Sequence, residues 1–205
     1  EQTPTRVGAR TDLHLVEEER GRNIGKYLRK KDISVDIVFC GPLKRHVQTA
    51  ALACEEMGGD LLSIQINHDF NEIDYGPDEN KTEDEVMLRL GAGDLQVGKN
   101  IIDLWNKEAK VPEGWEVDVE AIKQAWLSFG NDIEAHYKDQ TVLLVSSNGT
   151  IRFAPMITGD FEGFIADQDI KVPTGGVCIF EKNENDSHWR CIEWGTKPAS
   201  ALEVD

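Results

Sequence analysis

Residues 36–57, DIVFCGPLKRHVQTAALACEEM, decide how the rest of the chain is read. Asp36 to Cys40 is a short apolar run with the composition of a buried strand, and Gly41-Pro42 is a turn. Leu43, Val47, Ala51 and Cys54 then recur at helical spacing, with Pro42 suited to the first helical position. The reading is strand, turn, helix. Helix N-termini carry unpaired N–H groups and partial positive charge, and Lys44 and Arg45 add full charges where an anion such as phosphate could dock. Taken alone, this segment reads more readily as a helix end with a solvated basic face.

Working outward, Glu17 to Lys31 is a charged helix with Ile24, Tyr27 and Leu28 as its inner stripe, and Leu61 to Asn67 alternates as a second strand. Helix, strand, helix, strand is the order of an α/β domain with a mainly parallel sheet. Thr141 to Val145 is continuously apolar, as expected of a strand covered on both faces. Ahead of it, Ile122, Trp126, Phe129 and Ile133 make Val119 to His136 an amphipathic helix. Behind it, Gly176–Phe180 and His188–Trp194 flank a polar turn and predict an antiparallel hairpin at the sheet edge.

A helix starts near Thr82 with Glu85 placed to close a capping box. From Met87 to Trp115 the pattern is irregular around a short IIDLW helix, and residues 78–116 read as a lid-like insertion. The expected fold is therefore one α/β domain over residues 1–205. It has a mainly parallel sheet flanked by helices, an edge hairpin and a helical insertion.

Composition narrows the partners. Hydrophobic residues make up 40% and charged residues 29% of the 205, and no apolar run approaches the ~18 residues of a membrane span. A formal net charge of −16 argues against bulk nucleic-acid binding and requires any phosphate site to be a local basic cleft. Cys40, Cys54, Cys178 and Cys191 are spread in apolar surroundings without a CxxC or Cys/His cluster, and read as buried thiols of a reducing, cytoplasmic compartment. Cys178 and Cys191 could also face one another across the hairpin.

Four ordered motifs carry a more specific signal: ARTDLHLVEEERG, VFCGPLKRHVQTA, FNEIDYG and VLLVSSNGTIR. Together with the terminal hairpin they resemble the histidine phosphatase superfamily, which includes the cofactor-dependent phosphoglycerate mutases. The corresponding family patterns are GRTDLPLTExG, SSPLxRAxQTA, LxEIDYGxxEG and VSHGGxIR. The resemblance implies a parallel α/β sandwich with its site at the carboxyl ends of the strands, and phosphoryl transfer through a phosphohistidine, with no metal and no cofactor. Its substrate is expected to be a small phosphorylated metabolite, with FNEIDYG pointing to the phosphatase branch.

By the resemblance, Arg45 matches an arginine that clamps the phosphoryl group and Glu72 matches the general acid. A planar, always-charged fork suits bidentate phosphate recognition, and a carboxyl held protonated can supply the leaving oxygen's proton. Arg10 and Thr3 lie where family loops approach the phosphate. Arg152 is expected to anchor its helix, and His46 matches a family Ala and reads as a helix-face histidine.

Two departures stand out. The Arg-His-Gly strand that bears the family's nucleophile is absent, and is expected upstream of Glu1. Ser147 stands where the family has its second His; its hydroxyl, together with Asn148 and the following backbone, can donate hydrogen bonds to phosphate, but the positive charge is gone. That loss leaves open a non-catalytic relative that binds phosphorylated ligands or a partner. A further alternative treats Ser147 as a hydrolase nucleophile, with Asp167 and His188 following in Ser, acid, His order.

Overall fold

The computed structural model describes residues 5–58 and 63–203. Thr3, and the start of the expected second strand at residues 61 and 62, lie outside the described residues. The first helix, α1, spans Glu18–Lys30 and buries Ile24, Tyr27 and Leu28, the stripe read from the sequence. Strand β1, Ile37–Cys40, leads through Gly41-Pro42 into α2, Lys44–Glu56. Leu43 is the N-cap of α2, so Pro42 sits just outside the helix instead of at its first position. Strand β2 is Ile64–Ile66.

Next come α3, Glu83–Leu90, closed by the Thr82–Glu85 capping box, and α4, Leu95–Glu108. Helix α5, Val119–His136, precedes β3, Val142–Val145, and the four-residue α6, Asn148–Ile151. A short helix α7, Phe161–Asp167, then leads to the hairpin of β4, Val177–Glu181, and β5, Arg190–Thr196, and to a terminal α8, Pro198–Leu202.

Among the described residues, β2, β1 and β3 form a three-stranded parallel sheet with β1 in the middle, Cys40 pairing in register with Ile66 and with Val145. That position explains why Val38 and Cys40 are fully buried and why the segment is apolar throughout. Alternation along β3 splits its side chains between two layers: Leu143 packs with the α1 and α2 side chains, while Leu144 joins the cluster containing Trp126 and Phe129 of α5.

Two expectations change. The hairpin is a separate two-stranded antiparallel sheet and does not extend the parallel one. In consequence, one edge of β3 has no strand partner among the described residues, and Val142, Leu143 and Leu144 are only half-buried where full covering was expected. Residues of β3, β4, α1 and α5 line a single cavity of about 1030 Å³ between the two sheets.

The 87–115 stretch also differs from its irregular reading. Gly91 and Gly98 disguised two regular helices: a β-carbon on Gly98 would collide with the Met87 backbone, so the glycine is what lets α3 and α4 pack closely. Val86, Ile102, Trp105 and Trp115 from this region belong to the largest core cluster, with Trp105 and Trp115 meeting edge to face at 5.6 Å. Buried Asp78 ties it further, accepting from Arg89 and, at 2.7 Å, from the Trp115 indole N–H.

Candidate active site

Beyond the carboxyl ends of β1 and β3 the chain brings Arg45, His46, Glu72, Ser147 and Asn148 to the lining of the cavity. Arg45 and His46 come from the first turn of α2. Ser147 and Asn148 follow β3. Glu72 follows the 3-10 turn His68–Phe70, held against the sheet because the Phe70 carbonyl accepts from Ser146 Oγ at 2.8 Å and the Asn71 carbonyl accepts from Thr150 Oγ1.

Glu72 is buried, at 8% exposure. Burial pushes its carboxyl up to about 7, against the opposing pull of the Ile73 N–H and of the Arg45 and Arg152 charges. Its Oε1 accepts from Ile73 N at 2.8 Å, and the Tyr75 hydroxyl lies 3.5 Å from Oε2. Gly149 makes the position possible, since a β-carbon there would collide with Glu72 Oε1 and the Ile73 side chain. A buried carboxyl poised near neutrality is suited to giving up and taking back a proton.

The Arg45 guanidinium donates to the carbonyls of Thr11 at 2.9 Å, Val7 at 3.0 Å and Gly8 at 3.3 Å. These bonds fix it against the 7–11 loop but neutralise nothing, and no carboxylate forms an ion pair with it among the described residues. Desolvation draws its pKa down while the Glu72 and Asp12 charges oppose this. The helix end that seemed open to an anion is partly taken: Asp12 Oδ1 already accepts from the Lys44 N–H at 2.7 Å, and Lys44 itself is exposed.

Other expected residues separate from this group. Arg10 is half-exposed and committed to Asp74 at 2.6 Å and Glu116 at 2.9 Å, away from the cavity lining. Asn148 spends its side-chain oxygen on the Val172 N–H at 2.9 Å, leaving its NH₂ as the donor group. Arg152 is buried beneath the site, donating to the Trp105 and Asn148 carbonyls and lying 4.1 Å over the Trp105 ring.

His46 is the residue the sequence reading misplaced. Far from an exposed helix face, it is 2% exposed, and its Nε2 lies 2.6 Å from Ser147 Oγ. Desolvation first, and the Arg45 charge second, draw its pKa down to about 4, so the ring is neutral at pH 7. The Ser147–Asp167–His188 order does not become a triad: His46 engages Ser147, while His188 packs against Gly159.

The fold and site define a parallel α/β protein with a protonatable carboxyl and, among the described residues, a guanidinium without an ion-pair partner at the carboxyl ends of its strands. The chain belongs to the histidine phosphatase superfamily (branch 1), whose family model matches residues 2–196. It is 33% identical over 101 residues to a 2,3-bisphosphoglycerate-dependent phosphoglycerate mutase of Methylobacterium sp. (strain 4-46), a match covering 49% of this chain and 45% of that relative. The chain thus spans less than half the length of that relative. It is 24% identical over 164 residues to a phosphoglycerate mutase of Schizosaccharomyces pombe, covering 78% of this chain and 74% of the relative.

Solved structures share the fold. A mycobacterial glucosyl-3-phosphoglycerate phosphatase superimposes with a TM-score of 0.72 at 16% identity, covering 96% of this chain and 95% of the other. A phosphoserine phosphatase variant from Entamoeba histolytica, in complex with phosphoserine, gives 0.66 at 13% identity, covering 94% and 89%. Among the described residues no helix is long and apolar enough to cross a membrane, and no group of three or more His, Cys, Asp and Glu could hold a metal ion.

Proposed function

We propose that the protein hydrolyses the phosphomonoester of a small phosphorylated metabolite through a phosphohistidine. The observation that carries this reading is the meeting of Glu72, its carboxyl raised to about 7, with the guanidinium of Arg45, free of ion pairs among the described residues, in the lining of one cavity. The cavity separates the open edge of β3 from the hairpin, and an extended segment bearing the nucleophile would lie along that edge. Arg45 forks onto phosphoryl oxygens as the histidine attacks phosphorus, and protonated Glu72 gives its proton to the departing alkoxide. Glu72, now a carboxylate, then takes a proton from the water that attacks the phosphohistidine, which restores both groups.

The region 78–116, packed beside Glu72 through Tyr75 and Trp115 at 4.7 Å, would bound the leaving-group side of the site. Turnover of an aryl phosphate by the full-length protein, abolished by Arg45→Ala, is the expected result; no turnover with phosphate still bound would sink the enzymatic reading. Ser147 keeps a second reading open, that of a relative which binds phosphorylated ligands without turning them over, because the site then lacks one cationic stabiliser worth on the order of 10²–10³ in rate.

A further inference from the structure

The loop that holds Arg45 is itself held from its other side. Arg45 donates through Nη1 and Nη2 to the carbonyls of Thr11, Val7 and Gly8, and its Nε–H has no partner among the described residues. The Val7 carbonyl and the Gly8 N–H belong to one trans peptide group and point in opposite directions. Arg45 takes the carbonyl; on the opposite side the N–H donates to Glu79 Oε2 at 2.9 Å.

Thr11 repeats the arrangement. Its carbonyl accepts from Arg45 Nη1, and its hydroxyl, which accepts from the Asn80 side chain at 3.1 Å, donates its proton to the same Glu79 oxygen at 2.9 Å. The third carbonyl, of Gly8, lies 3.3 Å from Arg45 Nη2, and the N–H of its peptide group, on Ala9, donates to the Ile73 carbonyl at 2.9 Å. Each carbonyl that orients the guanidinium is thus tied, one peptide or one side chain away, to the segment that follows Glu72. Two of the three ties end on one oxygen of Glu79.

The fit is close. Gly8 is buried, and a β-carbon there would collide with Glu79 Oε1 and the Tyr75 ring. Bonds to a carboxylate are stronger than those between neutral groups, and a peptide gripped by a cation at its oxygen and an anion at its N–H is polarised by both. The field of Glu79 at Arg45 is the smaller effect: among the groups that oppose the lowering of the Arg45 pKa by desolvation, Glu72 is the largest and Glu79 the smallest.

We propose that Glu79 is a positioning residue for the phosphoryl clamp: by accepting from the Gly8 N–H and the Thr11 hydroxyl it sets the carbonyls that orient Arg45, and so fixes the guanidinium relative to Glu72. The inference rests on the phosphate-site reading above.

The test uses the full-length protein, with turnover of an aryl phosphate and binding of inorganic phosphate as readouts, beside the Arg45 side-chain nitrogen resonances. Glu79→Ala should lower kcat on the order of 100-fold, the cost of a misplaced group, and should turn the separate Arg45 Nη signals of a held guanidinium into averaged ones. Glu79→Gln should recover most of the turnover, because both short bonds end on Oε2 and an amide oxygen there can accept both. Thr11→Val, which removes one of those bonds and no charge, should lower kcat in the same direction as Glu79→Ala and add little to it.

Wild-type turnover in a folded Glu79→Ala variant overturns the proposal, as does lost turnover with unchanged Arg45 signals. Equal losses in Gln and Ala would assign the effect to the charge of Glu79 and overturn it too. If Glu79→Ala does not fold, Glu79→Gln and Thr11→Val decide. Wild-type protein that neither turns over the aryl phosphate nor binds phosphate overturns the phosphate-site reading and the proposal with it, whereas turnover that depends on Arg45 but not on Glu79 overturns the proposal alone.

Discussion

Replacing Glu72 by Gln should make the protein progressively more stable than wild type as pH rises, and the size of the effect is set by the buried carboxyl. Its folded pKa is raised from 4.5 to about 7, so the folded state holds a proton that the unfolded state has released. The contribution favouring the fold is fully present below pH 4.5 and is lost as pH climbs through 7. A shift of that size corresponds to about 3 kcal/mol between pH 4.5 and pH 8. Gln keeps a carbonyl oxygen for the Ile73 N–H, which the Glu72 Oε1 receives at 2.8 Å, and cannot ionise.

His46 acts in the opposite sense: with its folded pKa drawn down to about 4, it adds stability as pH rises from 4 to 6.5. The raw pH profile of the wild type therefore mixes two opposed terms. The informative quantity is the difference in urea unfolding free energy between variant and wild type at each pH. That difference should move in favour of Gln by about 3 kcal/mol from pH 4.5 to pH 8. A flat difference would refute the claim that Glu72 is held protonated by burial.

Other perturbations have equally definite outcomes. Arg152→Met should destabilise by about 3 kcal/mol in urea unfolding, because it removes the buried donor to the Trp105 carbonyl and the cation lying 4.1 Å over the Trp105 ring. Gly149→Ala drives a β-carbon into the Glu72 carboxylate and Ile73, and should lower aryl phosphate turnover more than it lowers the thermal midpoint. Asp12→Ala frees the Lys44 N–H at the start of α2 and should cost about 1 kcal/mol, read from the same urea curves.

The strand, turn and helix at residues 36–57 were legible because β1 lies between two partner strands and its apolar run and the helical spacing after it are unbroken. The face that α2 buries is nevertheless turned from the one read, through His46, Ala50, Ala53 and Cys54, with Val47 and Ala51 only half-buried. The apolar run at Thr141–Val145 gave the strand but overstated its covering, since hydrophobicity records what a segment can bury and not whether a neighbour is in place. In α4, Gly98 broke a helical pattern for the sake of contact with Met87, a reason that exists only in three dimensions.

Of the candidate site, Arg45, Glu72, Ser147 and Asn148 converge on the cavity, while Arg10 is spent on an ion-pair network that spacing alone does not reveal. His46 escaped because a single histidine on a helix carries no signal by itself, and its partner is 101 positions away in the chain. The departures at Gly41, His46 and Ser147 stood beside others in the same motifs, at Cys40 and Asn148, so the sequence did not single them out.

The central claim is phosphoryl transfer to a histidine at the cavity, with Glu72 and Arg45 as acid and clamp. Its most direct test is rapid quenching of the full-length protein with a radiolabelled phosphomonoester, followed by assay of protein-bound phosphate. The account predicts a phosphoenzyme that is labile in acid and stable in alkali, and that is lost in Arg45→Ala. Substrate turnover without such an intermediate, or a bound phosphate with the acid stability of a serine ester, would contradict it.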